Sequence, residues 1–213
     1  MELPFTRDQF LSVFVAYNRQ FVVVAAALWI GCLGTLAAVW RNPPRSSRLL
    51  SLVLSAMWLW SGLVYHALLF TTINPAAWLF AALFVVQAGL FVWPAGARVE
   101  YFSSDRSMSI GGTVFIAYAL AYPFLTLASG PRYPAMPTFG VPCPTDILTI
   151  GVLLTVRGHV PLTPAIIPLL WGFVGGSAAV LLSVPTDYVL LGAALLLTRR
   201  LIAQALQRRA AEG

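Results

Sequence analysis

Apolar residues run through this chain in blocks of about twenty, separated by short polar or proline-marked breaks, and a block of ~20 apolar residues is what a helix needs to cross a bilayer. Thr6 followed by Gln9 has the spacing of a capping box and sets a helix start. Phe10, Val13, Phe14 and Tyr17 then recur at helical spacing while Asp8, Gln9, Ser12 and Arg19 form the polar remainder. The pattern predicts an amphipathic lead-in over 6–20, lying near the membrane interface and passing into a first span over about 21–40. The stretch Arg41-Asn42-Pro43-Pro44-Arg45-Ser46-Ser47-Arg48 breaks the pattern, and a second span follows over about 49–70, with Tyr65 and His66 late in it. Asn74-Pro75 marks a turn before a third span over about 76–93, which carries Gln87. Arg98, Glu100, Asp105 and Arg106 make a polar loop. The fourth span, about 110–127, holds Tyr118 and Tyr122 and is weakened by Pro123. A proline- and glycine-rich loop leads to a short fifth span over about 144–156, then a sixth over 162–184 and a seventh over 186–206 with an arginine-rich tail.

Composition turns this pattern into a class. With 59% hydrophobic and 9% charged side chains, the chain is too apolar for a soluble domain and reads as one integral membrane domain over 1–213. All 13 basic residues are arginine, so a lysine Schiff base, and with it a retinal or pyridoxal phosphate chromophore, is excluded. An N-terminus outside places Arg41, Arg45, Arg48, Arg98, Arg106, Arg157, Arg199, Arg200, Arg208 and Arg209 on the cytoplasmic side and leaves Arg7, Arg19 and Arg132 outside. The expected fold is therefore an all-α bundle of about seven spans, N-terminus outside and C-terminus cytoplasmic. The arginines are scattered rather than gathered on a stripe, which points to anionic lipid headgroups on the cytoplasmic side and not to nucleic acid. A homo-oligomer or a membrane partner subunit is compatible with the Trp-rich spans.

Topology lets depth be compared between helices. His66, Asn74, Tyr122, Cys143 and Asp146 all fall in the outer leaflet or at its boundary, and polar groups in spans usually face the bundle interior or a wet cavity. They are the candidates for an outer vestibule. Oriented N–H groups at the start of the fifth helix would hold an anion or favour a thiolate at Cys143. The structural alternatives are specific: Thr145 or Asp146 as helix cap, His66 as a hydrogen-bonded packing residue, Gln87 and Tyr118 as interhelical hydrogen-bonding groups, and Gly172, Gly175 and Gly176 as close-approach positions. Two histidines are too few for a three-histidine zinc site. His66, Cys143 and Asp146 are the candidates for a mixed metal site, and Ser177 with His66 for a dyad; small-residue packing explains Ser177 better.

Pro4-Phe5-Thr6 with Asp8-Gln9-Phe10 and Tyr17-Asn18, Tyr65-His66 with Ile73-Asn74-Pro75-Ala76-Ala77, Cys143-Pro144-Thr145 with Thr149-Ile150-Gly151, and Pro168 to Trp171 span nearly the whole chain. In these phrases the sequence resembles an uncharacterised family of small bacterial membrane proteins, a domain of unknown function. The resemblance implies a bacterial inner (cytoplasmic) membrane and no particular activity. Three readings of function follow: passage of a small solute or ion through the bundle, motivated by the proline-broken fifth and sixth helices; a metal or redox protein built on His66, Cys143 and Asp146; and a non-catalytic accessory subunit. A non-enzyme is the expectation.

Overall fold

The capping box at Thr6 forms: its N–H donates to Gln9 Oε1 at 2.8 Å, the Gln9 N–H donates to Thr6 Oγ1 at 3.3 Å, and helix α1, Arg7–Arg41, follows. The structure, a computed structural model, describes residues 4–41, 43–93, 106–129, 131–156 and 158–212, with only the backbone of 43–46, 106–109, 129 and 212. Arg98, Glu100, Asp105 and Arg157, expected in loops, lie outside the described residues, as do the side chains of Arg45 and Arg106.

Helix α1 has 35 residues, which at 1.5 Å per residue is about 52 Å. That exceeds the ~30 Å hydrocarbon core. The expected lead-in and first span are thus one helix, because no proline or glycine separates them. The apolar stripe of the lead-in buries Val13, Phe14 and Tyr17 against the protein, not on a membrane surface. Helix α2, Pro43–Trp60, continues as a π-helical stretch over Ser61–Leu69 and one 3₁₀ turn over Phe70–Thr72. After the Asn74-Pro75 turn come α3, Ala77–Val92, and α4, Arg106–Ser129; then α5, Pro142–Leu154, α6, Thr163–Leu182, a 3₁₀ turn over Pro185–Asp187 and α7, Val189–Glu212.

All the regular structure of the described residues is helical, and five helical stretches among them are long and apolar enough to cross a membrane. The exposed surface carries Leu, Val and Ile along these helices, with Trp40, Trp78 and Trp93 exposed at helix ends. That is the distribution of a lipid-facing belt bounded by interfacial aromatics.

Helix α5 occupies the centre. Every one of its 13 residues is buried, and it packs on α2, the π stretch, α4, α6 and α7. At about 20 Å it is shorter than the hydrocarbon core is thick, and it passes from the end of the bundle near Asp187, where Cys143 lies, to the end held by Arg200. Lipid does not reach it, and irregular backbone at its ends is tolerated because protein groups satisfy that backbone. Its crossing with α4 is set by glycine: a Cβ on Gly112 would stand 2.6 Å from the Gly151 carbonyl oxygen, and one on Gly151 would stand 2.9 Å from the Ile116 nitrogen. Gly172 and Gly176 likewise admit Ala194 and Leu191 of α7.

Both ends of α5 are held by distant side chains. At its C-terminal end Arg200 donates to the carbonyls of Leu154, of Val156 at 2.7 Å and of Gly158 at 3.2 Å. Arg200, expected on the cytoplasmic tail, is instead 6% exposed, because these orphan carbonyls would otherwise be buried without partners. At the N-terminal end Asn18 donates to the carbonyls of Pro134 and Met136, both at 2.7 Å, and accepts from Thr138 Oγ1. Tyr17 donates to the Phe139 carbonyl at 3.0 Å. The long loop before α5 is therefore pinned across one end of the bundle by α1.

Candidate functional site

Four parts of the chain meet at that end: the start of α1, the π stretch with the turn after it, the start of α5, and the end of α6 with the following 3₁₀ turn. Between them lies a cavity of about 420 Å³, within the size range of small-molecule sites. Phe5, just before α1, and Phe10 and Phe14 within it form one wall, the π stretch and turn contribute Tyr65, His66 and Asn74, and α3 adds Phe80. Val141, Pro142 and Cys143 form the α5 side, Trp171 to Leu182 the α6 side, and Asp187 completes the wall. The surface so formed is almost wholly apolar.

The π stretch explains how a membrane helix gives up its straight apolar face here. Its carbonyls bond one residue further along than in an α-helix, and such segments recur at functional sites. The Phe70 N–H is shared between the His66 and Tyr65 carbonyls. His66 sits within a cage of rings, with centroid distances of 4.6 Å to Phe84, 5.0 Å to Trp171 and 5.7 Å to Phe80. Edge-on contacts of this kind are favourable between rings. Neither nitrogen of His66 has a hydrogen-bond partner among the described residues, and neither does Trp171 Nε1. The hydrogen-bonded packing role expected for His66 is corrected on this point, and no bond joins it to Ser177.

The start of α5 differs from expectation in register. The helix begins at Pro142, with Val141 as an extended N-cap residue that makes no side-chain cap. Pro142 and Pro144 both fit the first turn, where backbone N–H groups have no helical acceptor. Thr145 and Asp146 are consequently inside the helix and do not cap it. Asp146 is fully buried, and both its oxygens and Thr145 Oγ1 are without hydrogen-bond partners among the described residues.

The acidic group that faces the cavity is Asp187, at the end of the 3₁₀ turn before α7. It is 2% exposed. Tyr122 donates its hydroxyl hydrogen to Asp187 Oδ1 in a short hydrogen bond, and Cys143 lines the same cavity as that carboxylate. Tyr118 fixes the same turn by donating to the Thr186 carbonyl at 2.9 Å. The structure thus gathers His66, Asn74 and Cys143 around one cavity and ties Tyr122 to it through Asp187. Asp146 does not line it. Tyr118 and Gln87 serve as interhelical hydrogen-bonding groups, with Gln87 Nε2 donating to the Pro164 carbonyl at 2.9 Å.

Asp187 and Trp171 were missed as site residues. The polar dipeptide Thr186-Asp187 at the mouth of the last helix was the available signal for Asp187, whereas nothing distinguishes Trp171 from the other tryptophans until the fold is known. Among the described residues no group of three or more His, Cys, Asp or Glu side chains is placed to hold a metal ion. His66, Cys143 and Asp146 therefore do not form the mixed metal site that their chemistry allows.

The model of a family of unknown function (DUF6064) matches residues 7–212, and the chain belongs to that family. No curated protein and no solved structure shows significant similarity to it.

Proposed function

We propose that this member of a family without an assigned activity is a bacterial inner-membrane protein, N-terminus outside, that binds a small lipophilic molecule in the cavity between α1, the π stretch, α5 and α6. One observation carries the reading: an aromatic-walled space of about 420 Å³ is kept open in a bundle whose axis is otherwise filled by a helix with all 13 residues buried. Close packing is the norm in protein interiors, so a retained space of this size needs an occupant or a cost. The occupied axis makes a continuous solute path the poorer fit, since passage would require α5 to move. The metal reading has no cluster of three or more His, Cys, Asp or Glu side chains to rest on among the described residues. An accessory role is compatible with the lipid-facing surface but leaves the cavity without a purpose.

The test is to purify the protein gently from its native membrane, extract bound small molecules and identify them by mass spectrometry, wild type beside Ser177→Trp. Ser177 lines the cavity but is exposed, so a bulky ring there fills the mouth at small cost to the fold. A lipophile released by the wild type and missing from an equally stable variant is the expected result. Equal yields from both would sink the cavity as the binding site.

A further inference from the structure

The cavity has a mouth and a polarity. On the α6 side its wall includes Val174, Ser177 and Leu181, all exposed on a helix apolar and long enough to cross a membrane. The opening therefore lies beside α6, on the surface that faces lipid, and not only at the aqueous end of the bundle.

The rim carries a cation. Arg7 lies between two cavity-lining residues of the chain start, Phe5 and Phe10, and its Nε donates at 3.2 Å to the carbonyl of Leu182, itself a lining residue. Its side chain is exposed, so the rest of the guanidinium can meet a ligand headgroup. The start of α5 also contributes: Val141, Pro142 and Cys143 form the wall, placing the positive end of a helix dipole, worth roughly half a charge, toward the space. The one carboxylate in the wall, Asp187, already accepts from Tyr122. An apolar aromatic chamber open to lipid, with a cation at its rim, fits a molecule with a hydrocarbon chain and an anionic head.

We infer that the occupant is an anionic amphiphile, its chain in the aromatic chamber and its carboxylate or phosphate at Arg7. This inference rests on the cavity reading above. The experiment measures binding of palmitate, of a lysophosphatidate with the same chain and of hexadecanol to the purified protein in detergent, for the wild type, Arg7→Gln, Arg7→Lys and Ser177→Trp.

At least one of the two acids should bind the wild type at least tenfold more tightly than the alcohol. The better-bound acid identifies the head as carboxylate or phosphate. Arg7→Gln should remove that preference and leave hexadecanol unchanged, and Arg7→Lys should restore most of it. An alcohol bound as tightly as both acids by the wild type overturns the inference, even if Arg7→Gln fails to fold. So does an acid preference that survives Arg7→Gln. Ser177→Trp separates the two levels: it should abolish binding of all three, and hexadecanol binding that survives it defeats the cavity reading itself.

Discussion

Gln87 Nε2 donates at 2.9 Å to the Pro164 carbonyl, the carbonyl that would bond the N–H of residue 168 in an unbroken helix; residue 168 is proline and has none. A side chain on α3 thus replaces the backbone bond that α6 lacks. Gln87→Leu should lower stability by about 1–3 kcal/mol, because it leaves a buried carbonyl unpaired. Pro168→Ala supplies an N–H for that carbonyl, so the double variant should lose less than the sum of the single variants. Unfolding equilibria of the four proteins in detergent measure the difference, and strict additivity would refute the pairing.

The close crossing of α4 and α5 predicts a comparable effect from a smaller change. A methyl on Gly112 would meet the Gly151 carbonyl oxygen at 2.6 Å and Thr155 Cγ2 at 2.7 Å. Backbone cannot yield as a flexible side chain does, so Gly112→Ala should cost about 1–3 kcal/mol through overpacking. Gly89→Ala, at a position with open space around the would-be Cβ, is the control and should stabilise α3 slightly. Thermal unfolding of both variants decides; equal transitions would mean the helices are not in backbone contact.

Arg200 offers a third test. Three carbonyls at and beyond the end of α5 depend on its guanidinium, and bonds to charged groups contribute more than neutral ones, ~1.5–3 kcal/mol each. Arg200→Leu should therefore unfold the protein far more readily than Arg208→Leu, whose side chain is exposed on the tail. Arg200→Lys should recover only part of the loss, since a single ammonium cannot fork across separate carbonyls. Matched stabilities for Arg200→Leu and Arg208→Leu would count against the cap.

What the sequence made legible was governed by local rules. The helices followed from blocks of apolar residues, the capping box from the Thr6 and Gln9 spacing, and a close helix approach at Gly172 and Gly176 from their small size, though not that α7 is the partner. The internal position of α5 was not legible, because a continuous apolar run looks the same whether lipid or protein surrounds it. Arg200, assigned to the cytoplasmic side with the tail arginines, was hidden for the same reason: a charge near a helix end is usually solvated, and only tertiary packing reveals the orphan backbone that draws it inside. At the site, topology alone placed His66, Asn74, Tyr122 and Cys143 at one end. Asp146 points to the same side of α5 as Pro142 and Cys143 but stands about one turn further along the helix, beyond the cavity wall.

Tyr122 and Asp187 give a prediction at the site itself. Tyr122→Phe removes the hydroxyl donor to a buried carboxylate and should destabilise by about 1–3 kcal/mol. Tyr118→Phe, which loses a bond to the Thr186 carbonyl from a half-buried position, should cost less. Denaturation of the two variants under identical conditions provides the comparison, and a costlier Tyr118→Phe would show that Asp187 does not depend on Tyr122.

The two cysteines report on the cavity directly. Cys143 lines it, whereas Cys32 is 0% exposed within the hydrophobic core. Both thiols are inaccessible to a bulky charged reagent, so the discrimination requires a small apolar maleimide that partitions into the detergent or bilayer. Reaction with the thiolate is favoured where solvent and reagent can reach the sulfur. Cys143 should therefore be modified at least tenfold faster than Cys32, as read by mass spectrometry of peptides from the native protein. Ser177→Trp should slow the reaction at Cys143 without changing that at Cys32, because the ring obstructs the mouth beside α6. A bound lipophile should slow it in the same selective way. If Cys32 reacts first, or if the indole at position 177 makes no difference, access does not run through this cavity, and the space between α1 and α6 is closed to molecules arriving from the membrane.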